Sequence, residues 1–312
     1  MRAVLHLGTY KTGSSSLQNL LHANRDLLRD NDVLYPASGM INDPKLGYRH
    51  FPLIRDFMQG KTGVLPRALA REITDSGCDT VLFSAEAWSA PLHQSHLTRF
   101  VCALEEFGFD DIQGIVLLRN LTDYHVSHFR EFTVNQRNAT PYRDYVRRPA
   151  GLFDYLFLLQ GYRGLFGHRL QVIPYDRVPD ACGAVMQAAG LADLFDRLQP
   201  TPKANVKKID ALDVEAIRCC NALNIPVEKG HAALARLRAE DPAIAAATWS
   251  ERGTDGVMPT NAAYRRRFAQ ASGWSLPDVN RLFSVPPSSA RNVAEVSDRL
   301  AALMDRSASP AA

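Results

Sequence analysis

The short apolar run at residues 2–7 stops at Gly8, and a stretch of small and hydroxyl-bearing residues then hands the chain to a helical pattern. A strand that turns directly into a helix through glycines is the first step of an α/β architecture, because the helix can then fold back over the strand it follows. The alternation recurs. Runs of strand length at 80–84, 114–119 and 170–175 are aliphatic or β-branched, while apolar residues at helical spacing fill 15–29, 92–107, 122–135, 151–166 and 181–189. Strand, helix, strand, helix predicts a central, mainly parallel sheet covered on both faces, a three-layer α/β/α core. Beyond Leu198 the strand signals cease; Pro200 and Pro202 precede helical segments at 211–224, 231–239, 261–272 and 293–306. The expected organisation is an α/β core over 1–200, a helical C-terminal part over 201–306 packed on it, and a disordered tail of small residues at 307–312.

Bulk composition narrows the partners. Lys and Arg number 36 against 33 Asp and Glu, a net charge of +3, so no overall basic surface calls for nucleic acid and any basic site is local. The apolar start Val4-Leu5-His6-Leu7 lacks a signal peptide's long apolar region, and no span approaches the ~20 residues a membrane helix needs, so a cytoplasmic protein is expected. Five cysteines make an odd count without a C-x-x-C pair and read as reduced structural thiols; the adjacent Cys219 and Cys220 point to different sides of a helix.

The segment Gly8-Thr9-Tyr10-Lys11-Thr12-Gly13-Ser14-Ser15-Ser16 combines what phosphate binding requires. Gly8 and Gly13 permit a sharp turn and close approach of backbone to an anion, Lys11 supplies charge, and the hydroxyls supply donors. The following helix directs its unpaired N–H groups and positive dipole end to the same place. A plain strand-to-helix turn accounts for the glycines and serines but not for Lys11, since a cation beside a helix N-terminus is unfavourable until an anion joins it. Nor is this the ordinary triphosphatase loop, in which four residues separate the first glycine from Gly-Lys-Ser/Thr; here the lysine precedes the second glycine.

On these residues the sequence resembles the sulfotransferases that use 3′-phosphoadenosine 5′-phosphosulfate (PAPS), with Lys11-Thr12-Gly13-Ser14-Ser15 matching their 5′-phosphosulfate loop. A second stretch, Val116 to Ser127, matches their strand ending in arginine with a serine eight residues on; the resemblance implies that Arg119 and Ser127 bind the 3′-phosphate. Physically, Arg119 at a strand's carboxyl end can present a bidentate fork to phosphate. The resemblance is best over residues 2–180, where Val172 to Tyr175 and Asp176 look like the later core strand and its acidic follower. Lys207 and Lys208, in the segment 203–208, occupy the place of the family's basic loop, although the segment departs from the Arg-Lys-Gly pattern and reads equally as a solvated linker.

The resemblance implies transfer of a sulfuryl group from PAPS to a hydroxyl or amine of a carbohydrate or small-molecule acceptor, leaving adenosine 3′,5′-bisphosphate. Lys11 suits the leaving-group oxygen, with Thr12, Gly13, Ser14, Ser15 and Ser16 around the nonreacting oxygens. His50, in the polar loop after Val33-Leu34-Tyr35-Pro36, is the first choice for the base, because histidine titrates near neutrality; Glu86, just past the run 80–84, is the rival, or orients His50. No His, Cys and carboxylate set has metal-ligand spacing, and the scheme needs no metal. His6 reads as a core group, His125 and His128 as helix-surface residues. Arg130, Arg137, Arg143, Arg147 and Arg148, among aromatics, form either a solvated face or an acceptor wall. Two alternatives stand: an ATP-dependent kinase-like transferase, for which no Walker-type lysine or carboxylates fall in register, and a noncatalytic nucleotide-binding protein.

Overall fold

Five strands, β1 (Arg2–His6), β2 (Val33–Leu34), β3 (Thr80–Ser84), β4 (Asp111–Leu118) and β5 (Leu170–Pro174), form one all-parallel sheet in the order β2-β3-β1-β4-β5. This computed structural model describes residues 1–41, 43, 47–58, 64–147, 153–201, 209–247, 249, 261–285 and 292–306. β1 is central: Arg2 stands level with Thr80 on one side and with Asp111 on the other. Its neighbours diverge in opposite directions along the sheet, so the loop leaving β1 opens at the carboxyl edge, where open α/β sheets take their ligands.

Both faces of the sheet are covered, as its near-continuous apolar strands demand. Val4, Leu82, Ile115 and Leu117 meet Leu17, Leu20 and Leu21 of the helix Ser14–Ala23 (α1) and Val185 and Met186 of the helix Ala181–Ala188. On the opposite face Phe83 packs edge-on to Phe100 of the helix Gln94–Phe107 at 5.1 Å, and Trp88 stacks on the same ring at 5.4 Å. The expected three-layer α/β/α architecture is therefore present, with a fully parallel sheet. Local stop signals are equally plain: Gly108, at φ 112°, ends Gln94–Phe107, and the Asp180 side chain caps the N–H groups of Cys182 and Gly183.

Helical periodicity over 15–29 does not yield one helix. Asn24 interrupts it, donating its amide to Leu20 O (2.8 Å) and Gln199 O (3.0 Å) and accepting from Gln199 N (2.8 Å), and a separate turn follows at Arg25–Arg29. A side chain that offers the backbone other partners breaks the ladder. Other elements lie where no regular structure was expected, among them β2, only two residues long, and the helices Phe51–Met58, Arg67–Ser76, Tyr142–Val146, Ala192–Phe195 and Leu276–Leu282.

The chain divides into two compact units, one comprising Met1–Asn120, Ala150–Ala204 and Asn261–Leu282, the other Leu121–Pro149, Asn205–Thr260 and Phe283–Ala312. The first holds the whole sheet. The second is helical, with Leu121–Asn135, Ala211–Leu223, Val227–Glu240 and Val293–Arg306 as its main elements. Phe129, Tyr142, Tyr145 and Trp249 pack ring against ring there, with Arg130 over the Trp249 ring at 5.4 Å. Its buried pair Arg218–Glu215 (2.7 Å) is completed by the Ser297 hydroxyl donating to Glu215 (2.6 Å) and by Arg218 donating to Ala139 O (3.0 Å). Residues 307–312 lie outside the described residues.

Candidate functional site

The loop after β1 is stitched to β4 before it turns away. Leu7 N donates to Ile115 O (2.8 Å), Leu117 N to Gly8 O (2.7 Å), and both the N–H and the hydroxyl of Thr9 reach Leu117 O (3.1 Å each). Three residues then take left-handed backbone: Gly8 (φ 87°), Lys11 (φ 63°) and Gly13 (φ 86°). Gly8 has no alternative, because a Cβ there would stand 2.9 Å from the Glu86 Cα. Lys11 pays a steric cost that glycine would avoid, and such strain marks loops shaped for a ligand.

No side chain caps α1: Gly13 is its N-cap, while Thr12 and Ser14 donate their hydroxyls back to Thr9 O at 2.7 and 3.4 Å. Ser16 N–H turns back to Gly13 O (3.0 Å), and the N–H groups of Ser14 and Ser15 at the start of this ten-residue helix are left for an external acceptor, with the hydroxyls of exposed Ser15 and Ser16 beside them. Arg119, one residue past β4, donates from Nη1 to Lys11 O at 3.4 Å. Its Nε lies 4.0 Å from Asp176 Oδ1 and its guanidinium 5.7 Å from the Tyr175 ring, while Asn120 N–H donates to Asp176 Oδ2. The ends of β1, β4 and β5 therefore converge, and two cationic side chains come from adjoining loops at one edge.

Under the loop lies a buried polar chain. Glu86, 6 % exposed, accepts from Arg49 Nη1 (2.7 Å) on one oxygen and Gln18 Nε2 (2.8 Å) on the other. Gln18 also reaches Ser84 Oγ (3.2 Å), which is 2.8 Å from His6 Nδ1. Tyr10 sits over this group: burial, and then the Glu86 charge, drive its phenol pKa upward. His6 is a core residue whose pKa burial pushes down to about 4.

His50 is wholly buried. Ser84 N donates to its Nδ1 (3.1 Å), so Nε2 carries the proton and donates to Pro36 O (3.0 Å). Burial lowers its pKa to about 4, the backbone bonds to Pro36 and Ser84 offsetting part of the shift. Edge contacts from Tyr35 and Phe83 close the ring in. Both nitrogens are engaged within the fold.

No family model and no curated protein matches this sequence. Among solved structures, a sulfotransferase from Alicyclobacillus acidocaldarius is similar, at TM-score 0.36 and 14% identity over 74% of this chain and 99% of that one.

Ser127 is a half-buried residue of Leu121–Asn135, in the helical unit, and Lys207 and Lys208 lie outside the described residues, as does Arg148. His125 and His128, read as helix-surface groups, are buried; His128 Nδ1 stands 2.7 Å from the Tyr145 hydroxyl. Among the described residues no three His, Cys, Asp or Glu side chains are grouped to hold a metal ion, and no helix is long and apolar enough to cross a membrane. Sequence reading missed Gln18 and Arg49. Gln18 left a trace as a polar residue between Leu17 and Leu20 on the core face of α1; Arg49 left none.

Proposed function

We propose that the chain is a sulfotransferase that takes a sulfuryl group from PAPS and delivers it to a hydroxyl or amine of a carbohydrate or small-molecule acceptor. The observation that carries this reading is the meeting of the strained Lys11 loop, the uncapped start of α1 and the Arg119 guanidinium at one sheet edge. An ordinary triphosphate needs a lysine after the second glycine and carboxylates for Mg²⁺; a donor with separate 5′- and 3′-phosphate groups suits two cations on adjoining loops. The residues fit that donor. Lys11, the loop N–H groups, Ser15 and Ser16 would hold its 5′ end and Arg119 its 3′-phosphate, with Ser127 and the lysines 207 and 208 assigned by sequence pattern alone.

The donor, when bound, supplies an activated sulfuryl group with a phosphate leaving group. Lys11 would neutralise charge as it builds on the bridging oxygen, and the first-turn N–H groups would hold the nonreacting oxygens. We assign the acceptor's proton to Glu86 in preference to His50. Glu86 adjoins Gly8 at the loop's start, and each of its oxygens accepts a single protein hydrogen bond, which leaves lone pairs, whereas His50 has both nitrogens engaged.

Calorimetric titration tests the donor. Adenosine 3′,5′-bisphosphate should bind without Mg²⁺, and preference for Mg-ATP would refute the proposal in favour of a kinase. Arg119→Ala should weaken the bisphosphate by about tenfold or more, the worth of a charged hydrogen bond. Lys11→Ala should reduce turnover by on the order of 10²–10³ with a smaller loss of binding. Glu86→Gln should remove turnover with nucleotide affinity intact; bisphosphate binding without turnover on any hydroxyl or amine acceptor would instead favour a noncatalytic protein.

A further inference from the structure

A second place in the sheet-bearing unit has the chemistry of a binding site and lies apart from the Lys11 loop. A cavity of about 700 Å³ opens between the turn Arg25–Arg29 and the helix Arg67–Ser76, floored by Leu34 and Tyr35 at the edge strand β2. Four arginines line it: Arg25, Arg29, Arg67 and Arg71. Their roles differ. Arg25 is built into the walls, donating from Nε to Tyr35 O (2.9 Å) and from Nη2 to Glu72 Oε1 (3.2 Å). Glu72 is itself committed, since it also accepts from the N–H groups of Ala37 and Ser38 at 2.7 Å each.

The other three arginines face the opening. Arg67 and Arg71, both exposed, make no hydrogen bond or ion pair among the described residues, and Arg29 meets only Asp26 (3.2 Å), a carboxylate 94% exposed. Arg67 and Arg71 stand four residues apart on one helix face, about 6 Å along the axis, an arrangement in which like charges repel. Arg29 projects from the opposite wall. Asp75, one turn beyond Arg71, and Asp26, beside Arg29, also line the cavity, so the cationic stretch is short and bounded.

A single small anion would satisfy one guanidinium or two; three guanidinia on two walls, two of them a helical turn apart, match repeated anionic groups along a chain. The volume is that of a site for a few sugar rings. Single-stranded nucleic acid fits worse, since the one aromatic ring of the lining, Tyr35, is 1% exposed and offers no stacking face. We propose that this cavity binds a sulfated oligosaccharide, through Arg67 and Arg71 on one wall and Arg29 on the other. The proposal does not depend on what the Lys11 loop binds.

The test is fluorescence titration of the full chain with labelled dextran sulfate oligosaccharides, with unsulfated dextran and a duplex DNA of equal charge as comparators. Dextran sulfate should bind, more weakly as salt rises; unsulfated dextran should not. Arg67→Glu with Arg71→Glu should weaken binding by about tenfold or more, and Arg29→Glu, from the other wall, should act in the same direction if the double variant fails to fold. Adenosine bisphosphate affinity should be unchanged in every variant. Unaltered dextran sulfate affinity in the folded variants, tighter binding of DNA, or a parallel loss of bisphosphate affinity would each overturn the proposal.

Discussion

At the scale of single residues, the loop after β1 is legible because its chemistry is local. Gly8, Lys11 and Gly13 lie within six positions, and the reasons for each, a turn, a charge and a helix start, act over that distance. The buried group beneath it is not local. Glu86 meets Arg49 and Gln18, 37 and 68 residues away in sequence, and no pattern in one chain announces such pairings. Gly8 connects the two, since its left-handed φ of 87° and the absent Cβ let the loop rest on Glu86. Gly8→Ala should therefore both strain the backbone and push the loop off Glu86. A loss of about 1–3 kcal/mol in urea denaturation is expected, with turnover falling more than the stability loss explains. An alanine variant of wild-type stability would show that the loop tolerates the side chain and that this close approach is incidental.

Among elements, the strands and most long helices could be read from period and composition, whereas the strand order could not, because parallel neighbours are joined through helices rather than by adjacent turns. The two-residue β2 falls below any pattern, and Asn24 ended a helix that its leucines alone would have continued. The helix Arg67–Ser76 did leave a signal, with Leu69 and Ile73 four apart and buried. Packing between layers rests on a different kind of residue. Gly114 in β4 faces the helix Tyr155–Phe166, where a Cβ would lie 2.8 Å from the Phe166 ring. Gly114→Ala should cost about 1–3 kcal/mol through overpacking, visible as a lower denaturation midpoint. Phe166→Leu in the same background should recover part of that loss by vacating ring volume; no recovery would place the strain elsewhere.

Across the whole molecule, buried neutral histidines link folding to pH, and they occur in both units. His6 and His50 in the sheet-bearing unit and His125 in the helical one are each held at a pKa of about 4, burial being the largest cause in every case. Above pH 6.5 the imidazoles are neutral whether the chain is folded or not, and they contribute no pH dependence. As pH falls from 6.5 towards 4 the unfolded chain takes up protons that the folded chain refuses, so stability drops; below 4 both states are protonated and this contribution levels off. The size follows from the gap between 6.5 and about 4, which gives up to about 2 kcal/mol per histidine at pH 5. Because the histidines are divided between the units, each unit should weaken in the same window, and denaturation followed at several wavelengths distinguishes them if their transitions separate. Denaturation midpoints measured from pH 7.5 down to 5 should fall steeply. His50→Gln, which can still offer an amide to Pro36 O and an oxygen to Ser84 N, should remove one histidine's share of that slope while lowering stability at pH 7.5. A flat profile in the wild-type chain over this range would mean that the interior accepts imidazolium, and the neutral, fully engaged state assigned to His50 would fall with it.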